Sequence, residues 1–200
     1  MEVKLIPSLR KPNHLEIWAG ETLIKTVDNS LFKKKIREIT NSSNIHEKLE
    51  ILEKKIALNY VIFLLSRRAY SSHELKNKMK ERLISTASQQ YVLSQVSPYL
   101  DDEKLLESIV RVEKSKGKGE RAIVRKVATR LGLSLQEASR IVESGYCFQD
   151  QVDNAITLLK KKPLLQKEKA LRFLVGRGYS YSAASQAVRN RHALDSEEME

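Results

Sequence analysis

The feature that most restricts this chain is a match with itself. At an offset of 46 residues, Tyr60 aligns with Leu106 and Val152, Phe63 with Ile109 and Ala155, and Leu64 with Val110 and Ile156. Apolar residues at i, i+3 and i+4 mark one face of a helix, and here that face recurs three times. Farther along, Ser88 aligns with Ser134 and Ser180, Val92 with Ala138 and Ala184, and Val96 with Val142 and Val188. Each copy therefore begins and ends with a helix, with a serine placed to cap the closing one. Between them fall Leu75, Met79 and Leu83, then Ile123, Val127 and Leu131, then Ala170 and Leu174, the apolar stripes of a middle helix. The spacing predicts three three-helix modules, 53–99, 100–146 and 147–191. Capping chemistry supports these bounds: Ser71-x-x-Glu74 and Ser134-x-x-Glu137 have capping-box spacing, Asp101 and Asp102 suit a helix start, and Gly132 and Gly178 suit helix ends.

Residues 1–30 read differently. Leu15 to Trp18 and Thr22 to Val27 alternate at period two around Ala19-Gly20-Glu21, which predicts a small β-hairpin or three-stranded sheet. So few strands need a helix to pack on, and one entered at Asp28 or Ser30 is the candidate. A helix and linker, 31–52, follow, with Asn41-Ser42-Ser43-Asn44 the clearest linker, and the chain ends in an acidic tail, 192–200. Only 6% of residues are aromatic, with 7 Gly and 4 Pro, which speaks against a large β-sandwich or a glycine-looped nucleotide fold. A module of about 46 residues buries little apolar surface alone and must lean on its neighbours. The expected fold is mainly α, an elongated array of three three-helix repeat modules with a small N-terminal β-hairpin or sheet. The hairpin could prop up the first module or touch a partner.

The charge repeats with the pattern. Lys plus Arg number 36 against 25 Asp plus Glu, a net +11, and the excess gathers at the end of each first helix, the loop after it and the middle helix. In the second module Lys118, Arg121 and Arg125 share one face of the middle helix, opposite Ile123, Val127 and Leu131, and Gly117-Lys118-Gly119 reads as a flexible basic loop. Lys161 and Arg172 belong to the cluster of the third module. Cations in register along a rod suit a phosphate backbone, with binding that falls steeply with salt, and nothing resembles a device for reading base edges. No apolar run is long enough to span a membrane, so a soluble cytoplasmic monomer is expected. His14, His46, His73 and His192 are scattered, no Walker loop is present, Asp101-Asp102-Glu103 is explained by a helix start, and Cys147 is read as packing. The expectation is a protein that is not an enzyme and uses no metal or cofactor.

The run Leu64 to Met79, containing Ser66-Arg67-Arg68-Ala69-Tyr70-Ser71 and Glu74-Leu75-Lys76, resembles the signature that opens the first module of the RecX regulatory proteins. Tyr99-Leu100-Asp101-Asp102-Glu103-Lys104 resembles that family's opening of the second module. The likeness spans about residues 55–190. It departs at Leu105 or Leu106, where the family usually has Phe, and at Ser85-Thr86-Ala87, which replaces a Lys-Gly turn. The third module matches loosely. The resemblance implies a curved array lying in the groove of the RecA recombinase filament on DNA, opposing filament growth or ATP hydrolysis and damping strand exchange. Ser71 and Glu74 are then expected to cap and Leu75 to pack. Contact roles fall to Arg67, Arg68, Lys76, Lys118, Arg121, Arg125, Lys126, Lys161 and Arg172. The alternatives are a general helical-repeat DNA-binding protein that touches phosphates without base specificity, and a scaffold whose charge serves solubility.

Overall fold

A computed structural model describes residues 3–9, 11–32, 35–36, 44–162 and 165–197, with backbone alone for 192–197. The expected linker at 41–43 and the last three residues of the acidic tail lie outside these residues. The chain divides into two compact units, Met1–Asp101 and Asp102–Glu200.

In the first unit, strands β1 (Val3–Pro7), β2 (His14–Ala19) and β3 (Thr22–Asp28) form an antiparallel sheet in chain order. Gly20, at φ +61°, makes the turn between β2 and β3, a conformation that a residue without Cβ adopts freely. Period-two alternation turns Ile17 and Val27 inward, where they meet Phe32, Ile36 and the N-terminal half of the long helix α2 in one apolar cluster. The short α1 (Asn29–Phe32) does open at Asp28, whose carboxylate accepts from Ser30 Oγ at 2.5 Å and Leu31 N at 3.2 Å. Helices α2 (Ile45–Leu65), α3 (Ser72–Glu81) and α4 (Thr86–Val96) then close over Ala57, Val61, Leu75, Met79, Ile84 and Val92.

The sheet and the helices are joined by buried charge. Glu53 of α2 is 1% exposed. Its carboxylate accepts from Lys25 Nζ of β3 at 2.5 Å, from Ser85 N at 3.2 Å, from Ser88 Oγ at 2.8 Å and from Ser85 Oγ. In α3 the N3 glutamate, Glu74, reaches back to the N-cap Ser71, whereas α4 has Ser88 at N3. Glu53 supplies from another helix the carboxylate that α4 lacks. Arg82, at the C-terminus of α3, donates to Asp28 at 3.0 Å and ties the same helix set to the end of β3.

The second unit holds α5 (Asp102–Ser115), α6 (Glu120–Leu131), α7 (Leu135–Gly145), α8 (Phe148–Lys160), α9 (Lys167–Gly176) and α10 (Tyr181–Glu197). The first three enclose a core of Leu105, Ile109, Ile123, Val127, Ala138 and Val142, the last three a core of Val152, Leu159, Leu174, Ala184 and Val188. Helix α10 runs through Glu197, so most of the expected tail continues a helix. An amphipathic helix does not stop where its apolar stripe fades unless a breaker follows, and 192–197 contains no Gly or Pro.

Helix ends correct the repeat register. Leu83, Gly132 and Gly178 each hold a left-handed conformation. Around them Ile84 N donates to Met79 O, Leu133 N to Ala128 O and Tyr179 N to Leu174 O, the 6→1 bond of a Schellman turn. Two residues after each turn comes the N-cap serine of the next helix: Ser85, Ser134 and Ser180, with Oγ accepting from the N–H three residues on. Ser88 is therefore not the cap in the first copy, and the first spacing is 49 residues, not 46. Phe63 is likewise displaced, being 51% exposed, while Ala57, Leu105 and Gln151, and Val61, Ile109 and Ala155, are the buried columns. In the closing helix a slip of three still aligns apolar positions, because a helical stripe repeats at three and four residues, and only the caps break the tie; the opening helix slips by two, and burial reveals it.

Burial by itself raises the pKa of Glu53, but hydrogen bonds from Lys25, Ser85 and Ser88 outweigh it and hold the carboxyl below its ordinary 4.5. A depressed folded-state pKa contributes stability above the unfolded value and loses it as pH falls through the folded one. Glu53→Gln should cost about 1.5–3 kcal/mol at neutral pH, the scale of hydrogen bonds to a charged group. Urea titrations should show the gap to wild type narrowing as pH is lowered below the carboxylate range.

Candidate nucleic-acid interface

Helix α6 carries the exposed cations Arg121, Arg125 and Lys126, and its position is set at its first turn. Its N-cap is Gly119, which has no side chain to accept from the free amides. The neighbouring turn does so instead. Arg121 N donates to Gly178 O at 2.9 Å, and Gly119 N donates to Arg177 O at 3.1 Å. The two backbones can approach this closely only through glycine. A Cβ on Gly119 would lie 2.2 Å from Tyr179 N, and one on Gly178 would lie 2.6 Å from Ala122 N. Arg177 returns the contact by donating Nη1 to Lys116 O at 3.0 Å, with its guanidinium over the Phe173 ring. Tyr146 Oη donates to Lys118 O at 3.4 Å. Both tyrosines of this joint, Tyr146 and Tyr179, are fully buried, and burial pushes their phenol pKa values up.

The expectation of a flexible basic loop at Gly117-Lys118-Gly119 is thus overturned, since both glycines are buried in a packed joint between the α5–α7 and α8–α10 sets. Lys118 lies in the turn before α6, half-buried, and is not on the helical face of Arg121 and Arg125. Two other residues of the basic clusters are spent on structure. Arg177 serves the joint. Lys114 donates to Gly145 O at 2.5 Å, caps the end of α7, and sits 4.4 Å from the centre of the Tyr146 ring. Cys147, expected in the core, is exposed and is the N-cap of α8, its Sγ accepting from Asp150 N at 3.5 Å. Sulfur is a weak acceptor, which is why the sequence signal for a cap was missing.

Arg121, Arg125 and Lys126 remain. All three are exposed, opposite the buried Ile123, Val124, Val127 and Ala128, and none forms an ion pair with a carboxylate among the described residues. Arg125 Nε donates to Arg121 O at 3.2 Å, which lays the side chain along the helix. In the same unit Lys161 is exposed at the C-cap of α8, and Arg172 on α9 makes a loose 3.8 Å pair with Glu168.

In the first unit the run from Arg67 to Lys76 behaves differently from residue to residue. Ser71 and Glu74 form the capping box of α3, and Leu75 is fully buried, as the resemblance implied. Arg68 is held by Glu74 at 2.9 Å and stacked 3.6 Å over Tyr70, so its charge is already answered. Arg67 is exposed and stacks at 4.8 Å on the exposed ring of Phe63. Lys76 is exposed and lines a concavity of about 590 Å³ together with Lys11 and Lys80. Lys11 and Lys80 were not among the expected contact residues; Lys80 shares the α3 face of Lys76 one turn on, and the packing of the sheet beside α3 adds Lys11.

Among the described residues no cluster of His, Cys, Asp or Glu is placed to hold a metal ion, and no helix is long and apolar enough to cross a membrane. No family model matches the chain. Regulatory protein RecX of Haemophilus ducreyi is 26% identical over 163 residues, 74% of this chain and 97% of the relative. Regulatory protein RecX of Haemophilus influenzae is 32% identical over 110 residues, 54% of this chain and 70% of the relative. The chain belongs to the RecX family. The fold agrees: the crystal structure of RecX from Lactobacillus salivarius matches with a TM-score of 0.61 and 17% identity, covering 70% of this chain and 97% of that one. A second crystal structure of regulatory protein RecX matches at 0.58 and 17% identity, covering 93% and 98%.

The glycine joint in this RecX-family chain is directly testable. Gly119→Ala should lower stability by about 1–3 kcal/mol through overpacking against backbone. Gly145→Ala, where an added Cβ meets nothing within 4 Å, should not. Thermal melts of the two variants, read side by side, check this.

Proposed function

We propose that the chain is a regulator of the RecA recombinase that lies on the RecA–DNA filament and lowers its ATP hydrolysis and strand exchange, thereby modulating DNA repair and recombination. The observation that carries this reading is the set Arg121, Arg125 and Lys126, exposed side by side on α6 with no carboxylate partner among the described residues, in a chain whose relatives are named regulatory proteins. On this reading α2–α4, α5–α7 and α8–α10 act as three successive modules, about 53–99, 100–146 and 147–191, of one elongated monomer in the cytoplasm. Exposed guanidinium groups without a carboxylate partner are suited to phosphates, and the joint at Gly119 fixes the helix that presents them. Catalysis has no part in it. The regulator acts by occupying the filament.

The test is the ATPase rate of RecA on single-stranded DNA with increasing amounts of this protein. The expected result is a falling rate. Arg121→Glu with Arg125→Glu should abolish the effect while leaving the melting temperature within a degree or two, as expected of exposed positions, whose substitution costs about 0.5 kcal/mol or less. An unchanged ATPase rate, with equal or stronger binding to bare than to RecA-coated DNA, would instead support a general phosphate-contacting DNA-binding protein.

A further inference from the structure

We infer that the concavity between the N-terminal sheet and α3 is a binding site for the phosphodiester backbone of a nucleic-acid strand, with Lys11, Lys76 and Lys80 as its cationic walls. Lys11 comes from the turn between β1 and β2, Lys76 and Lys80 from α3, and Thr26 and Thr86 add hydroxyls from β3 and the start of α4, where the hydroxyl of Ser85 is already held by Glu53. No Asp or Glu lines the space, and none of the three lysines forms an ion pair among the described residues. Elsewhere in the same unit four cations are answered at short range, Lys25 by Glu53, Arg68 by Glu74, Lys78 by Glu81 and Arg82 by Asp28, while Lys48 and Lys55 stand singly on the exposed side of α2 rather than gathered around one space.

Lys76 and Lys80 are i and i+4 on one helix, a like-charge pair that costs a few tenths of a kcal/mol. The fold adds a third ammonium to that pair where it could have placed a carboxylate. Such an arrangement gains its stabilisation from an anion brought by a ligand. Lysines act as separate point charges rather than as a fork, which suits a line of phosphates better than bidentate capture of one group. Aromatic rings are missing from the lining, so bases have nothing to stack on, and recognition falls on the backbone. The hydroxyls of Thr26 and Thr86 are neutral donors for phosphate oxygens. The N-terminal sheet thereby does more than support α2, because it carries one wall of the site.

This inference deepens the proposed function by locating strand contacts in the first unit, but its test contains no recombinase. Fluorescence anisotropy of labelled oligo-dT is measured against salt for the wild type, for Lys11→Gln/Lys76→Gln/Lys80→Gln, and for a control that removes the same charge at exposed positions elsewhere, Lys48→Gln/Lys55→Gln/Lys167→Gln. The concavity variant should lower the slope of log K against log salt by about 2, three phosphate contacts at ~0.7 each. The control should change it much less. Equal slopes for the two variants, or a wild-type slope in the concavity variant, would overturn the inference. So would pyrophosphate binding that depends on these lysines without any change in the oligo-dT slope, which would make the site one for a small phosphate ligand. Loss of ATPase regulation with the slope intact would count against the proposed function alone.

Discussion

Every short helix begins with about four amide donors that its own backbone cannot satisfy, and this constraint governs the structure. Helices α3 and α7 meet it locally with Ser-x-x-Glu boxes. Helices α4 and α6 do not. Glu53 of α2 completes the cap of α4, and the carbonyl of Gly178 takes the amide of Arg121 in α6. A cap supplied by a distant residue links two elements rather than finishing one. The sheet-bearing unit is tied through Lys25, Glu53 and Ser85, and the other through a backbone contact that only glycine permits. With apolar cores drawn mostly from Ala, Val, Leu and Ile, these end-to-end bonds specify which helix meets which.

The same constraint sorts the positive charge. A basic residue near a helix end is drawn to unpaired carbonyls, as Lys114 is to Gly145 O and Arg177 to Lys116 O. A basic residue near a buried carboxylate neutralises it, as Lys25 and Arg82 do. Cations on the outer faces of the middle helices, Lys76 and Lys80 on α3 and Arg121, Arg125 and Lys126 on α6, escape both fates. Net charge therefore overstates what a partner can reach, and Arg121, Arg125, Lys126 and the Lys11, Lys76, Lys80 group are among the cations left after structure has been served.

Much of the fold was legible because its signals are local. Alternation in Leu15–Trp18 and Thr22–Val27 marks strands, and Ser71-x-x-Glu74 marks a helix start, within a span of six residues or fewer. The register of the first repeat was not legible. Leu83 occupies the left-handed position that Gly132 and Gly178 hold in the other copies, and a leucine there gives no warning of a turn. The capping glutamate of α4 was equally hidden, lying 32 residues before the serine it serves. For the site, the pairing of Arg121 with Arg125 on α6 followed from periodicity, but Lys118, expected beside them, precedes the helix, Arg68 looked available and is held by Glu74, and Lys11 looked like turn filler and lines a concavity. Sequence spacing predicts which residues share an element. It does not predict which charges the tertiary contacts consume.

Rigid placement of the remaining cations bears on what regulation by binding requires. A loop that must order itself on contact loses part of its interaction energy to entropy, about 1–2 kcal/mol for each residue fixed. The Gly117–Gly119 segment is already docked, with Arg121 hydrogen-bonded through its backbone to Gly178, so α6 presents its guanidinium groups from a fixed base. Lys76 and Lys80 stand likewise on a helix closed at both ends, by the Ser71–Glu74 box and by the Schellman turn at Leu83. Within each unit, then, the cations are held by a helix whose ends are already fixed, and little ordering of that backbone is left for a partner to impose.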